Sequence, residues 1–178
     1  MTDNNGQPQS NQHTTQGAPT QGRLAALENM CTTARQRPLE PGEIDQLNTM
    51  ITASANYENL LGARYLAVEP HKLVLRLETT KDHRQPWGVT NGGVYASLAE
   101  TAGSMASYIA AGAGNIVMGT SNYTNFLRPS TPGDVIISTA TPEHLGRTSH
   151  MWRIEHTNQE TGKTLAISTL KTAVMPAP

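Results

Sequence analysis

The chain has 178 residues, a formal net charge of −1 and 15 % charged residues, enough for one domain with a real core. No broad basic field points to nucleic acid, and no acidic block reads as a solvating tail. The single cysteine, Cys31, excludes an internal disulfide framework and a cysteine-based zinc site, and no apolar run approaches the roughly 18 residues that span a membrane.

Residues 1–22 are rich in Gln, Asn, Thr and Gly, with Asp3 as the only charged side chain. Such a segment buries too little apolar surface to offset its ordering entropy, so it reads as a disordered polar tail, with His13 solvated. It lacks the apolar core of a secretory signal, which makes the cytoplasm the expected compartment. Residues 23–56 read as a helical extension. A first helix over 23–37 carries Leu24, Leu27 and Cys31 on one stripe and ends at Pro38 and Pro41. A second starts near Pro41-Gly42-Glu43 and carries Ile44, Leu47 and Ile51. Cys31 has no cationic neighbour to make it a thiolate, so it reads as a small apolar contact.

From residue 57 onward the chain reads as the main domain. Residues 63–68 and 72–79 form a hairpin around Pro70-His71, the second strand alternating Leu73, Leu75 and Leu77 against Val74, Arg76 and Glu78. A loop over 80–91 follows, and then a helix over 92–112, about 30 Å long at 1.5 Å per residue. Its Ala, Gly and Ser content marks it as wrapped by other elements, and Gly112-Ala113-Gly114 stops it. Strands are expected over 116–128, 134–141, 149–158 and 164–175. A hairpin, a long helix and an antiparallel meander indicate an α+β fold with a sheet curled around one buried helix.

The chemistry concentrates in residues 85–107. Asn91-Gly92-Gly93 opens the long helix; Asn is a favoured N-cap, and glycines let a ligand approach the free N–H groups. A carbonyl placed there becomes a better electrophile, and its tetrahedral oxyanion is stabilised. Glu100 lies inside the same apolar helix, where a carboxylate needs a partner, water or a chemical role. Gly92 and Glu100 are eight residues apart, about 12 Å along the axis, too far to serve one carbonyl. If both act on one substrate they come from different subunits, which predicts an obligate dimer with two sites at its interface.

Three motifs carry a resemblance: RQPWG at 84–88, GGVYASLAE at 92–100 and GTSNYTNFLRP at 119–129. Over roughly residues 57–175 the chain resembles the hotdog-fold acyl-CoA thioesterases. The likeness is to the PaaI-like branch, whose 4-hydroxybenzoyl-CoA thioesterases use a glutamate of the central helix. The resemblance implies hydrolysis of an acyl-CoA thioester, with no cofactor or metal, in a homodimer or homotetramer with intersubunit sites. Glu100 would be nucleophile or general base, and the Gly92 N–H would polarise the carbonyl. Gln85 would lie beside that carbonyl, and Ser104 would hold Glu100 or the attacking water. Arg128, Arg147 and Thr148 would contact the nucleotide and phosphates of CoA. Family members usually have His-Gly-Gly where this chain has Asn91.

Each of these residues also has a plainer reading. Gln85 and Arg147 can be solvated loop residues, Ser104 can bond a carbonyl one turn back, and Arg128 can pair with a surface acid. Trp87, Tyr95 and Met105 can line an aromatic acyl pocket or simply pack. Two further functions stay open: a hotdog hydratase, for which His83 is the only histidine near the motif, and an acyl-CoA-binding protein without turnover.

Overall fold

The computed structural model describes residues 21–53 and 56–177. Most of the expected polar tail, including His13, lies outside the described residues. Three helices come first: α1 (Gln21–Gln36), α2 (Pro41–Thr52) and a short α3 (Tyr57–Leu61). The tail boundary therefore shifts, because Gln21 and Gly22 already belong to α1. The sequence reading also missed α3, a single turn whose start is fixed by Asn56 accepting from the Asn59 N–H and whose end is the left-handed Gly62. Pro41 opens α2, where Glu40 and Glu43 form a reciprocal capping box.

The hairpin strands are β1 (Arg64–Glu69) and β2 (Lys72–Glu78). Leu73, Leu75 and Leu77 are buried, as their alternation requires. After a 3-10 turn over Lys81–His83 comes α4 (Gly92–Ala111), followed by β3 (Asn115–Phe126), β4 (Val135–Leu145), β5 (Ser149–Asn158) and β6 (Thr164–Pro176). β4 runs four residues past its expected end at Thr141. Pro142 still pairs with Trp152, and a bulge between Pro142 and His144 absorbs the proline without ending the ladder.

The six strands form one antiparallel sheet in the order β1-β2-β4-β5-β6-β3. α4 packs against β2, β3, β4, β5 and β6, so the sheet wraps this one helix. The wrapping depends on small side chains. Ala99, Ala102, Gly103 and Ala106 are buried on the sheet-facing side of α4, and a Cβ on Gly103 would come within 2.5 Å of Leu170 Cδ2. The opposite face of α4, carrying Glu100, Ser104 and Met105, is left half-buried.

Candidate active site

The site is built from two places along α4. At the helix mouth, the loop after β2 is braced by His83. Its Nδ1 accepts the Thr80 N–H at 2.9 Å and its Nε2 meets the Leu61 carbonyl at 3.0 Å. Accepting at Nδ1 places the ring proton on Nε2, so both nitrogens are occupied by backbone. His83 thus has no free nitrogen to serve as the base of a hydratase. The loop continues through a tight turn over 85–88, closed by the Gly88 N–H on the Gln85 carbonyl and the Gln85 N–H on the Val89 carbonyl, both 2.9 Å. Gly88 has φ 93°, which a side chain would resist.

Asn91 then caps α4, its Oδ1 accepting the Gly93 N–H at 2.8 Å. The cap takes the second N–H of the helix and leaves the first. Among the described residues no bond takes up the Gly92 N–H, which leaves a helix-mouth donor able to meet a ligand. Gly92 has no room for a side chain, since a Cβ would lie 2.7 Å from Phe126 Cζ. Gln85, Thr90, Gly92, Tyr95, Phe126 and Arg128 line a cavity of about 410 Å³ at this mouth. Tyr95 is held by a hydrogen bond to Ser130, which donates onward to Thr90 (both 2.7 Å); burial raises the pKa of its phenol.

Two turns on, Ser104 Oγ donates to Glu100 Oε1 at 3.3 Å. Asn122 Nδ2 donates to Glu100 Oε2 at 3.1 Å and to the Ala96 carbonyl at 2.9 Å. Ser104 therefore bonds the acid itself and not a backbone carbonyl. Gly119 of β3 lies directly under the carboxylate, where a Cβ would collide with Oε1. The carboxylate borders a second cavity of about 540 Å³ that includes Met105 and Tyr108. No residue lines both cavities. Within one chain the two parts face different spaces, about 12 Å apart along the axis.

Sequence reasoning gave no role to Asn122 or Gly119, although both lie in the third motif. Gly119 had a signal, since a glycine inside a strand marks a close approach by another group. Asn122 had none: the register shift between Gly119 and Ser121 hides which strand residue reaches the acid.

The remaining candidates are spread. Arg128 lines the Gly92 cavity and donates to the Thr164 carbonyl at 2.7 Å. Arg147 and Thr148 sit in the β4–β5 turn, and Arg147 lines a third cavity, of about 520 Å³, with Ala110 and Ala111 at the far end of α4. Trp87 is 84 % exposed at the tip of its turn and lines neither site cavity. Cys31 is buried, 3.8 Å from Met105 Sδ, and burial pushes its thiol up to about 11, so it stays a protonated packing residue.

Residues 88–165 match the family model described as the thioesterase superfamily. A proofreading thioesterase, EntH, of Cronobacter turicensis is 36 % identical over 115 residues, covering 65 % of this chain and 82 % of that one. The chain belongs to the thioesterase superfamily. A 1,4-dihydroxy-2-naphthoyl-CoA hydrolase of Listeria monocytogenes is 34 % identical over 117 residues, covering 66 % of this chain and 94 % of the relative. The crystal structure of a Haemophilus influenzae thioesterase superposes with TM-score 0.68 at 31 % identity, over 75 % of this chain and 90 % of that one. The fold is the hotdog fold, and the protein is a thioester hydrolase. Among the described residues no helix is long and apolar enough to cross a membrane.

Proposed function

We propose that the protein hydrolyses an acyl-CoA thioester to the free acid and CoA, at two sites each shared between protomers. The observation that carries this reading is the setting of Glu100. Its carboxylate is oriented by Ser104 and Asn122 over a glycine, and it opens onto a cavity. The Gly92 N–H of one protomer polarises the thioester carbonyl, with Gln85 beside it. Glu100 of the other protomer draws a proton from water as the oxygen attacks the carbonyl carbon. The tetrahedral intermediate collapses, the C–S bond breaks, and the CoA thiolate takes the proton back from Glu100. Alternatively the carboxylate attacks directly, expelling the thiolate and forming a mixed anhydride that water then opens. Both routes use the same oxyanion donor and the same acid.

Arg128, Arg147 and Thr148 are the proposed contacts for the nucleotide and phosphates of CoA. An aromatic acyl group is favoured by the 1,4-dihydroxy-2-naphthoyl-CoA specificity in the Listeria relative's name and by Met105 and Tyr108 beside Glu100. Acyl-CoA chemistry and a lone buried thiol both suit the cytoplasm. The functional assembly is a homodimer, or a tetramer made of such dimers.

Glu100→Ala is expected to lower kcat by about 10³-fold or more across an acyl-CoA panel without altering the dimer. Gln85→Ala, on the loop beside the helix mouth, removes the amide proposed to lie next to the carbonyl without adding bulk, and is expected to lower kcat by about 10²-fold. Co-refolding the two impaired variants should restore about a quarter of wild-type activity, because half the random dimers carry one intact site. Absence of any recovery, with both variants folded and exchanging subunits, would rule out the shared site.

A further inference from the structure

The cavity beside Glu100 has two unlike walls. One belongs to the catalytic scaffold, with Ser104, Met105 and Tyr108 of α4 and Val117 of β3. The other comes from Leu24, Leu27 and Glu28 of α1 and Tyr57 and Glu58 of α3. Both helices lie upstream of residue 88, where the match to the family model begins. They are fixed in place: Cys31 of α1 touches Met105, Ala34 is fully buried, and the Tyr57 hydroxyl bonds Ser97 Oγ of α4 at 2.7 Å.

Given the proposed role of Glu100, on which this inference rests, the scissile carbon lies against the Glu100 carboxylate. CoA leaves on the sulfur side, so the acyl group extends the other way, into the cavity that adjoins Glu100. Its far end then meets α1 and α3. That end carries two carboxylates besides Glu100, and no lysine, arginine or histidine lines the cavity among the described residues. An acyl group ending in its own carboxylate would bring a third like charge into a partly desolvated space, with no cation to receive it. A neutral ring or short alkyl group meets Leu24, Leu27 and Met105 without that repulsion.

We propose that α1 and α3 form the end wall of the acyl pocket. Through Glu28 and Glu58 they select uncharged, compact acyl groups against acyl groups bearing a distal carboxylate. The full chain is assayed for kcat/KM with acetyl-CoA, benzoyl-CoA and glutaryl-CoA. The acetyl group is too short to reach the wall and serves as the reference. Glu28→Gln with Glu58→Gln should raise kcat/KM for glutaryl-CoA at least tenfold and leave acetyl-CoA and benzoyl-CoA within about twofold. Leu24→Trp, at a half-exposed position where folding is not at stake, should lower benzoyl-CoA about tenfold and spare acetyl-CoA. If both variants leave the three ratios as in wild type, or shift them in parallel, the wall does not touch the acyl group and the proposal is overturned. Hydrolysis of none of the three by the wild type overturns the acyl-CoA reading together with the wall. A shifted ratio that survives Glu100→Ala overturns only the role of Glu100.

Discussion

The two edges of the sheet are finished in opposite ways. At β1 the chain uses its own groups to close the edge. The Leu39 N–H bonds the Val68 carbonyl at 3.0 Å, and the Asn48 side chain bonds both the N–H and the carbonyl of Tyr65 at 2.9 Å. At β3 a strand of 12 residues borders only β6, and among the described residues nothing hydrogen-bonds its outer side. Met118, Tyr123 and Phe126 there are 57 %, 66 % and 59 % exposed. A long, apolar, open edge is a template for another strand. Both halves of the site also border β3, with Phe126 over Gly92 and with Gly119 and Asn122 against Glu100. The edge left open is therefore the one next to the proposed site, and it suits the proposal of a site shared between two copies.

Lysines placed on each edge test that difference most severely. Met118→Lys with Tyr123→Lys should yield a monomer by sedimentation velocity and lower turnover by about 10³-fold, because neither site is then complete. Leu66→Lys, at a position of β1 that is 48 % exposed, should leave both mass and rate unchanged. An active monomer from the β3 variant would overturn the reading of that edge.

A smaller loss is expected where β3 touches the acid itself. In Gly119→Ala the new methyl group occupies the place of Glu100 Oε1, so the carboxylate must leave its bonds to Ser104 and Asn122. A displacement of about 1 Å at a catalytic group costs about 10²-fold in rate. The expected pattern is a lowered kcat with an unchanged KM and an intact dimer. A wild-type kcat would mean that the Glu100 position observed here is not the reactive one.

Much of this was legible in the sequence, and the remainder has physical causes. The alternation of Leu73, Leu75 and Leu77 told which face of β2 is buried, because a period of two has only two solutions. The small side chains of α4 marked it as the wrapped helix. A lone Glu100 in that helix marked the carboxylate that Ser104 and Asn122 hydrogen-bond beside a cavity. The short α3 was missed because one turn has no period to detect, and the end of β4 was missed because Pro142 reads as a stop when its bulge partner is unknown. Asn122 was missed because its contact with Glu100 spans 22 residues and depends on a register that only the folded sheet sets. The closure of the β1 edge by Asn48 is of the same kind.

The last contrast lies behind the edges. Beneath β3 a line of buried hydrogen bonds crosses four strands: Thr124 to Ser168 at 2.8 Å, Ser168 to His156 Nε2 at 3.0 Å, and His156 Nδ1 to Ser138 at 2.7 Å. Among the described residues no such line of buried side-chain hydrogen bonds reaches β1. Burial pushes the His156 pKa down to about 3, so the folded protein keeps this ring neutral while the unfolded chain protonates it near 6.5. Between those values the unfolded state binds the extra proton, and stability falls as pH falls. The loss is about 1.4 kcal/mol per pH unit, or about 2 kcal/mol from pH 6.5 to 5. The slope is halved at pH 6.5 and fades by about pH 7.5. His150 adds to the same trend, its pKa also lowered by burial. Urea unfolding at fixed protein concentration between pH 5 and 7.5 should show this slope in the wild type and a flatter one in His156→Gln, whose amide keeps a neutral hydrogen-bonding group in place. Every other titrating group is common to the two proteins, so the difference in slope belongs to His156. Equal slopes would mean that the histidine line under β3 is not what acid breaks, and that the open edge draws no support from it.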